Sequence, residues 1–502
     1  MLISRRLSSL EDIRSRIRYP DFAALRARSA VVVITLRWQI TGYISGSIGA
    51  DLVCMVSHDL YLSRNELRSC KCGLLRHLDT PGVVGEAHFN VMKPAHVSRR
   101  HFIRATALGA AASLTHAEPP PPELPPLLTP DLDFYDVSRG TPKPHTLAGE
   151  ALTQARLTPE TWRCEITADA FIEDPHTKVP ATLEKPRTLA DGNALDLPML
   201  MELGKKHEVH FLKAMQCLNI DTPLGQGLWS GVPLREVLKL CGRMSNVRRI
   251  YFWGYHNDDP RQVFKSSVSY TQCFETAPGD LPVFLAYRLN GAPLSLERGG
   301  PVRMIVPWSH GYKSIKWLRH IFITNDPRNN DTYASGNNDP DSFLKTAAYV
   351  DKALDGRKIP VGQPVFITGQ VISGLSGVKH VEYWLRRVEG GPQALADDDP
   401  ELLNAPWKPC QLETQPQWTT VLPKGVNPRQ VLAFDVHNGT PLSWPPRYGM
   451  CSYYAMVSDL KPGRYEARAR SVDLNGFAQP EPRPLQKTGK NGIQVRRFEI
   501  VS

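Results

Sequence analysis

VFLAYRLNGAPLSLERGGPVRMIVPWSHGYKSIKWLRHI, residues 283–321, sets three short apolar runs around glycine-bearing turns. PVFLAYRLNG, VRMIVPW and IKWLRHIFIT read as strands, because apolar and β-branched residues cluster in runs too short for helices. Outward from this stretch, TWRCEITA, EVHFLKAMQC and RRIYFWGY have the same character. DLPMLMELGKK and PLREVLKLCG read as helices. The order is not a regular strand–helix–strand series, so residues 131–330 are predicted to form a mixed α+β domain with several bent strands.

After residue 358 the text changes to strands alone. PVFITGQVIS, KHVEYWLRRVE, RQVLAFDVHN, GRYEARARSVD and GIQVRRFEI alternate with period two and are separated by Gly, Pro and Asn. That spacing predicts an Ig-like β-sandwich over 358–502. The polar, turn-rich residues 331–357 read as the connection between the two domains. The chain has 502 residues, too many for one core, and its 43 prolines suit separate units joined by extended segments.

The net charge is +10, but residues 1–117 hold about 16 basic and 8 acidic residues, so most of the excess lies there. The remainder is close to neutral, which gives no global electrostatic footprint for nucleic acid. Within 92–117, SRRHFIR followed by the small-residue run Ala105–Ala112 reads as a twin-arginine signal peptide for export to the periplasm. Met92 is then the expected translation start, and residues 1–91 an upstream extension with no assigned fold. No uninterrupted apolar run in that extension reaches membrane-helix length, so no stable membrane span is expected. Residues 118–130 form a proline-rich linker.

Six cysteines follow Ala117, and their spacings match no zinc or c-type haem pattern. Cys410 and Cys451 either pair as a disulfide or remain two buried thiols. Cys217 ends a predicted buried strand. A thiolate there enters a cleft from a rigid support, as a soft transition metal requires of a single protein ligand; inert packing is the alternative for any lone cysteine.

The FYDV string near residue 134, MQC with LWSGVPLREVL, the 283–321 stretch and the terminal sandwich together resemble the sulfite oxidase superfamily of molybdopterin-dependent oxidoreductases. The FYDV string and the VPW-x-x-G-Y-K-x-I-K wording resemble the periplasmic methionine sulfoxide reductase catalytic subunit. The resemblance implies a molybdenum-molybdopterin cofactor with Cys217 as the metal ligand. The pterin would supply the other sulfur ligands. Arg303 matches an arginine at the cofactor's phosphate end, where a planar fork suits phosphate. Gly311, Lys313, Ser314, Ile315 and Lys316 form a turn able to cradle that phosphate, with Lys316 the best-matched side chain. Tyr135 and Asp136 match a pterin-contacting pair. Tyr270 falls where a tyrosine sits near the metal in sulfite oxidases, and Trp229 reads as packing under the turn.

After Cys217, the arginine-bearing run of sulfite oxidases is replaced by Leu218, Asn219, Ile220 and Asp221. Arg139 and Arg298 are candidates to restore positive field. The resemblance implies an exported enzyme that performs two-electron oxygen-atom transfer on a small sulfur-containing substrate. Sulfoxide reduction is the alternative, and a cofactor-free secreted binding protein the second. No haem is expected in this chain, so a separate electron carrier, a cytochrome or quinone-linked subunit, is implied. A homodimer through the C-terminal domain is implied as well.

Overall fold

The structure, a computed structural model, describes residues 120–169, 174–256, 259–332, 339–390, 395–396, 399–480 and 491–502. The extension 1–91 and the signal peptide 92–117 lie outside the described residues. The linker 118–130 does not stay free of the fold over its described part. Leu127 is buried, and Thr129 N–H donates to the Gln226 carbonyl.

Two sheets build the first domain. One contains β1 (Arg163–Ala168), β4 (Arg249–Gly254), β5 (Lys265–Ser269) and β8 (Leu318–Thr324). It runs in the order β1-β8-β4-β5, with β1 and β8 parallel and the short Leu195–Asp196 strand outside β1. The other contains β2 (Val209–Met215), β3 (Gly225–Pro233), β6 (Phe284–Leu289) and β7 (Arg303–Ile305). There β6 pairs with β3 and β7, and β3 pairs with β2.

Every residue of β3 is buried, although its sequence, GQGLWSGVP, reads as turn-rich. Its glycines are what allow close packing. A Cβ at Gly231 would stand 1.9 Å from the Leu285 carbonyl oxygen. The predicted helices are present as α1 (Leu197–His207) and α2 (Leu234–Leu238). Asp196 caps α1 by accepting from Met199 N–H, and Lys205, Lys206 and His207 crowd its carbonyl end. Leu200, Val237, Ile250, Ile321 and Val302 share one apolar core behind these elements.

The second unit is two sheets around one core. β9 (Ala347–Val350), β11 (Val365–Ile372) and β13 (Met450–Val457) form one with the short Gln411–Leu412 strand. β10 (Lys358–Pro360), β12 (His380–Val388), β14 (Gly463–Val472) and β15 (Val495–Val501) form the other with Lys408–Pro409. Ile367, Val371 and Tyr453 from the first meet Val381, Ala467 and Phe498 from the second in one core.

Two expectations need correction here. RQVLAFDVHN is not a strand: Ala433 takes a left-handed φ of 64°, and Asp435 N–H closes a turn onto Thr440. The strand is instead Met450–Val457. The expected connection 331–357 already contains β9, which is bonded into the first of these sheets.

Cys410 and Cys451 are both free. The ladder pairs Gln411 with Tyr454, which sets Cys410 about four residues along the strand from Cys451. At roughly 3.4 Å per residue that offset is beyond disulfide reach.

Candidate active site

Cys217 follows the end of β2 by two residues and is half-buried. Gln216 locks the chain on either side of it. Its backbone carbonyl accepts from Gly311 N–H at 2.8 Å. Its side-chain amide donates to the carbonyls of Cys217 at 3.2 Å and Ile220 at 2.5 Å. The chain then returns into β3 through Gly225, whose φ is +136° and whose Cβ would fall 2.5 Å from the Phe134 ring. Glycine is required there.

Cys217 opens on a cavity of about 150 Å³. Arg139, His256, Arg303 and Lys316 supply its polar wall, and Phe264, Tyr312 and Trp317 its aromatic wall. Sequence reading did not single out His256, Phe264 or Tyr312. His256 and Phe264 flank the loop between β4 and β5, and Tyr312 lies in a separate turn, so no single local pattern gathers the three. His256 accepts no ambiguity at Nδ1. A carbonyl oxygen, that of Gly254, lies 3.1 Å away and can only accept, so Nδ1 carries the proton. Burial, and to a lesser degree Arg139, holds this imidazole below its ordinary value.

Arg303 is buried, with Nε donating to the Ser314 carbonyl at 2.9 Å and Nη1 to the Arg298 carbonyl at 3.1 Å. Its guanidinium lies 5.1 Å from the centre of the Trp229 ring, so Trp229 packs as expected. Burial, reinforced by Arg298, pulls Arg303 down to about 9.

Lys316 donates to the Ser138 hydroxyl and the Glu297 carbonyl, both at 2.7 Å, and lies 3.3 Å from Asp136. Gly299 allows this approach, since a Cβ there would meet Lys316 Cβ at 2.7 Å. Burial opposes the Asp136 carboxylate, but the Ser138 hydroxyl and Lys316 outweigh it and hold the group well below the usual carboxylate range. Ser314 accepts from Val306 N–H through its hydroxyl, and Ile315 is buried beside it.

Other candidates sit elsewhere. Tyr135 is 53 % exposed and does not line the cavity. Tyr270 begins the helix Tyr270–Phe274 and stacks on Phe274 at 4.9 Å, also outside the cavity. Lys313 is fully engaged with Asp331 at 2.7 Å and the Ser267 carbonyl at 2.9 Å, a buried strut under the turn. Arg298 bonds the Phe134 carbonyl and pairs with Glu297 and does not line the cavity. Asp221 also lies outside the cavity, and its carbonyl accepts from Gln494.

The arrangement fits an anionic cofactor with a phosphate. In their charged forms the buried Arg303 and Lys213 have no carboxylate partner among the described residues, a costly state that an anion relieves. Gln216 Oε1 and Trp229 Nε1 are buried without a hydrogen-bond partner. No group of three or more His, Cys, Asp or Glu side chains is gathered among the described residues. A metal on Cys217 therefore needs most of its ligands from the cofactor itself.

Residues 195–332 match the family model of the oxidoreductase molybdopterin binding domain. The chain is 38 % identical over 106 residues to an NADH nitrate reductase of Spinacia oleracea, covering 20 % of this chain and 11 % of that protein. It is 34 % identical over 178 residues to NADH nitrate reductase 1 of Arabidopsis thaliana, covering 34 % and 18 %. The chain thus spans under a fifth of the length of these relatives. Among solved structures it is similar to the sulfane dehydrogenase SoxCD from Paracoccus pantotrophus, with 16 % identity and a TM-score of 0.44 over 72 % of this chain and 86 % of that one. Residues 195–332 are thus a molybdopterin-binding oxidoreductase domain.

Proposed function

We propose that this oxidoreductase holds molybdenum-molybdopterin through Cys217 and acts by two-electron oxygen-atom transfer on a small anionic, sulfur-containing substrate, in the manner of a sulfite dehydrogenase. The lining of the Cys217 cavity carries the reading. Arg139, Arg303 and Lys316 line it, Lys316 in an ion pair with Asp136, and no carboxylate among the described residues lines it. A cationic wall concentrates oxyanions and gives a neutral sulfoxide no comparable advantage. Sulfite therefore ranks ahead of a methionine sulfoxide-type substrate. The oxidoreductase domain leaves the cofactor-free binding reading without support.

When bound, the cofactor supplies the two-electron redox change and the transferable oxygen. The chain supplies the rest. Cys217 offers one soft thiolate ligand from a strand end. Arg303, Ser314, Ile315 and Lys316 form the phosphate end. Asp136 orients Lys316 through the contact at 3.3 Å. Arg139 draws the substrate anion inward. With its proton fixed on Nδ1, His256 presents Nε2 to hold or release a proton beside the substrate. Phe264, Tyr312 and Trp317 exclude water.

Around this centre we place export by the twin-arginine route to the periplasm, read from SRRHFIR, and electron transfer to a separate cytochrome or quinone-linked subunit. The two-sheet C-terminal unit, taken as Ig-like, would form the homodimer. The test is a purified, cofactor-loaded protein assayed with an artificial electron carrier against sulfite, methionine sulfoxide and nitrate. Nitrate is included because the relatives of the 195–332 domain are nitrate reductases. Sulfite turnover with a KM that rises with ionic strength is expected. Turnover of the neutral sulfoxide alone overturns the anion reading, and turnover of nitrate alone overturns the sulfur substrate.

A further inference from the structure

Lys213 lies four residues before Cys217 on β2 and has no exposed surface. Its ammonium donates to the carbonyl oxygens of Pro307 at 2.7 Å and Ser309 at 2.8 Å. Those two carbonyls belong to the chain between Arg303 and Gly311. Two residues beyond Ser309, Gly311 N–H bonds the Gln216 carbonyl. The segment 307–311 is thus fastened to the Cys217 strand at two levels, once by a side chain and once by the backbone. Across the ladder Lys213 faces Gly227, which has no side chain to compete for space.

Holding two carbonyls requires N–H donors but not a net charge. A glutamine amide has two such donors and would avoid burying an ion. Lys213 instead brings into the interior a group whose cationic form has no carboxylate partner among the described residues. Arg303 is a second such cation, close enough to repel it. A charge of this kind is a net cost to the empty fold and an asset once an anion arrives.

We propose that Lys213 is a positioning residue for the cofactor: it fastens the Cys217 strand to the chain that leads into the phosphate turn, and its charge is balanced only when the anionic cofactor is bound. The proposal rests on the reading of the Cys217 cavity as the cofactor site, and extends it to a residue outside the matched motifs.

The test compares full-length wild type with Lys213→Gln and Lys213→Arg, each produced with and without molybdenum supply. Molybdenum and pterin per chain are measured after prolonged dialysis, together with the Tm of empty and loaded forms. Lys213→Gln is expected to retain at least tenfold less cofactor than wild type while its empty form melts no lower. Lys213→Arg, which keeps donors and charge, is expected to hold cofactor within about threefold of wild type, since the charge is conserved and the geometry only adjusted. Equal retention by wild type and Lys213→Gln overturns the proposal alone. So does an empty Lys213→Gln form that melts lower or fails to fold, because that marks a lysine needed by the scaffold rather than by the cofactor. A wild type that binds no molybdenum overturns the cofactor reading, and this proposal with it.

Discussion

Gly311 N–H donates to the Gln216 carbonyl at 2.8 Å, and this bond sets the turn at 311–316 directly against the strand end that carries Cys217. A Cβ at Gly311 would stand 3.3 Å from that same carbonyl oxygen, tight but not impossible. Gly311→Ala is expected to retain molybdenum within about threefold of wild type, and the branched Gly311→Val to lose at least tenfold. The comparison is a strain argument. Molybdenum per folded chain, measured by elemental analysis, decides it.

Cys217→Ser removes the soft ligand with little change in volume. The site around it is held by Gln216 and Gly311 rather than by the thiol, so folding should be preserved. Turnover is expected to fall below about one per cent of wild type, more than the loss typical of a residue that only supports a ligand. Tm in the empty state should stay within about 2 °C, as for a surface-like substitution. Retained turnover would show that the metal is held otherwise.

Asp136 and Lys316 form the ionic link between the FYDV segment and the turn at 311–316, 3.3 Å apart and both mostly shielded from water. Asp136→Asn leaves Lys316 with the Ser138 hydroxyl and one carbonyl, and should cost about 1–3 kcal/mol, less than for a fully buried pair. Because Asp136 is held below its ordinary 3.8, it contributes stability above that value and loses it as pH falls through and below about 4. Urea unfolding at pH 7 and at about pH 3 should therefore show a smaller gap between wild type and Asp136→Asn at the lower pH, which lies below the ordinary carboxyl value.

Tyr270 and Phe264 show where sequence reading reached its limit. The strand and helix periodicities and the linear motif 283–321 were legible, and with them Cys217, Arg303 and Lys316, which line one cavity. Tyr270 lies six residues from Phe264, in a stretch where β5 and a one-turn helix meet. One misplaced residue along a strand exchanges its faces. The strand β3 was missed because its glycines signal turns locally and close packing only in three dimensions. Lys213 was passed over because its chemistry depends on carbonyls 94 and 96 residues away. Tyr270→Phe is expected to leave kcat/KM within about twofold, as for a substitution away from the site. Phe264→Ala, which opens the cavity wall to water, should lower it at least about tenfold. Steady-state kinetics on the substrate identified by the assay above separates the two.

Lys213 also predicts how the empty protein responds to pH. Burial, with Arg303 adding repulsion, pulls its ammonium down to about 7 from the ordinary 10.5. Between those two values the unfolded chain binds the proton and the folded chain does not. The unfolded state then holds more protons, so stability rises with pH across that window. Below about 7 both states are protonated, and the contribution of this residue levels off at its least favourable. An anion in the site favours the charged lysine, raises its folded-state value and flattens the slope. The empty wild type should therefore gain denaturant stability from pH 7 to pH 9.5, relative to Lys213→Gln, which has no proton to release. The loaded wild type should show a smaller gain. Equal slopes for empty wild type and Lys213→Gln would mean that Lys213 stays protonated in the folded protein, with its two carbonyl partners sufficient to hold the charge.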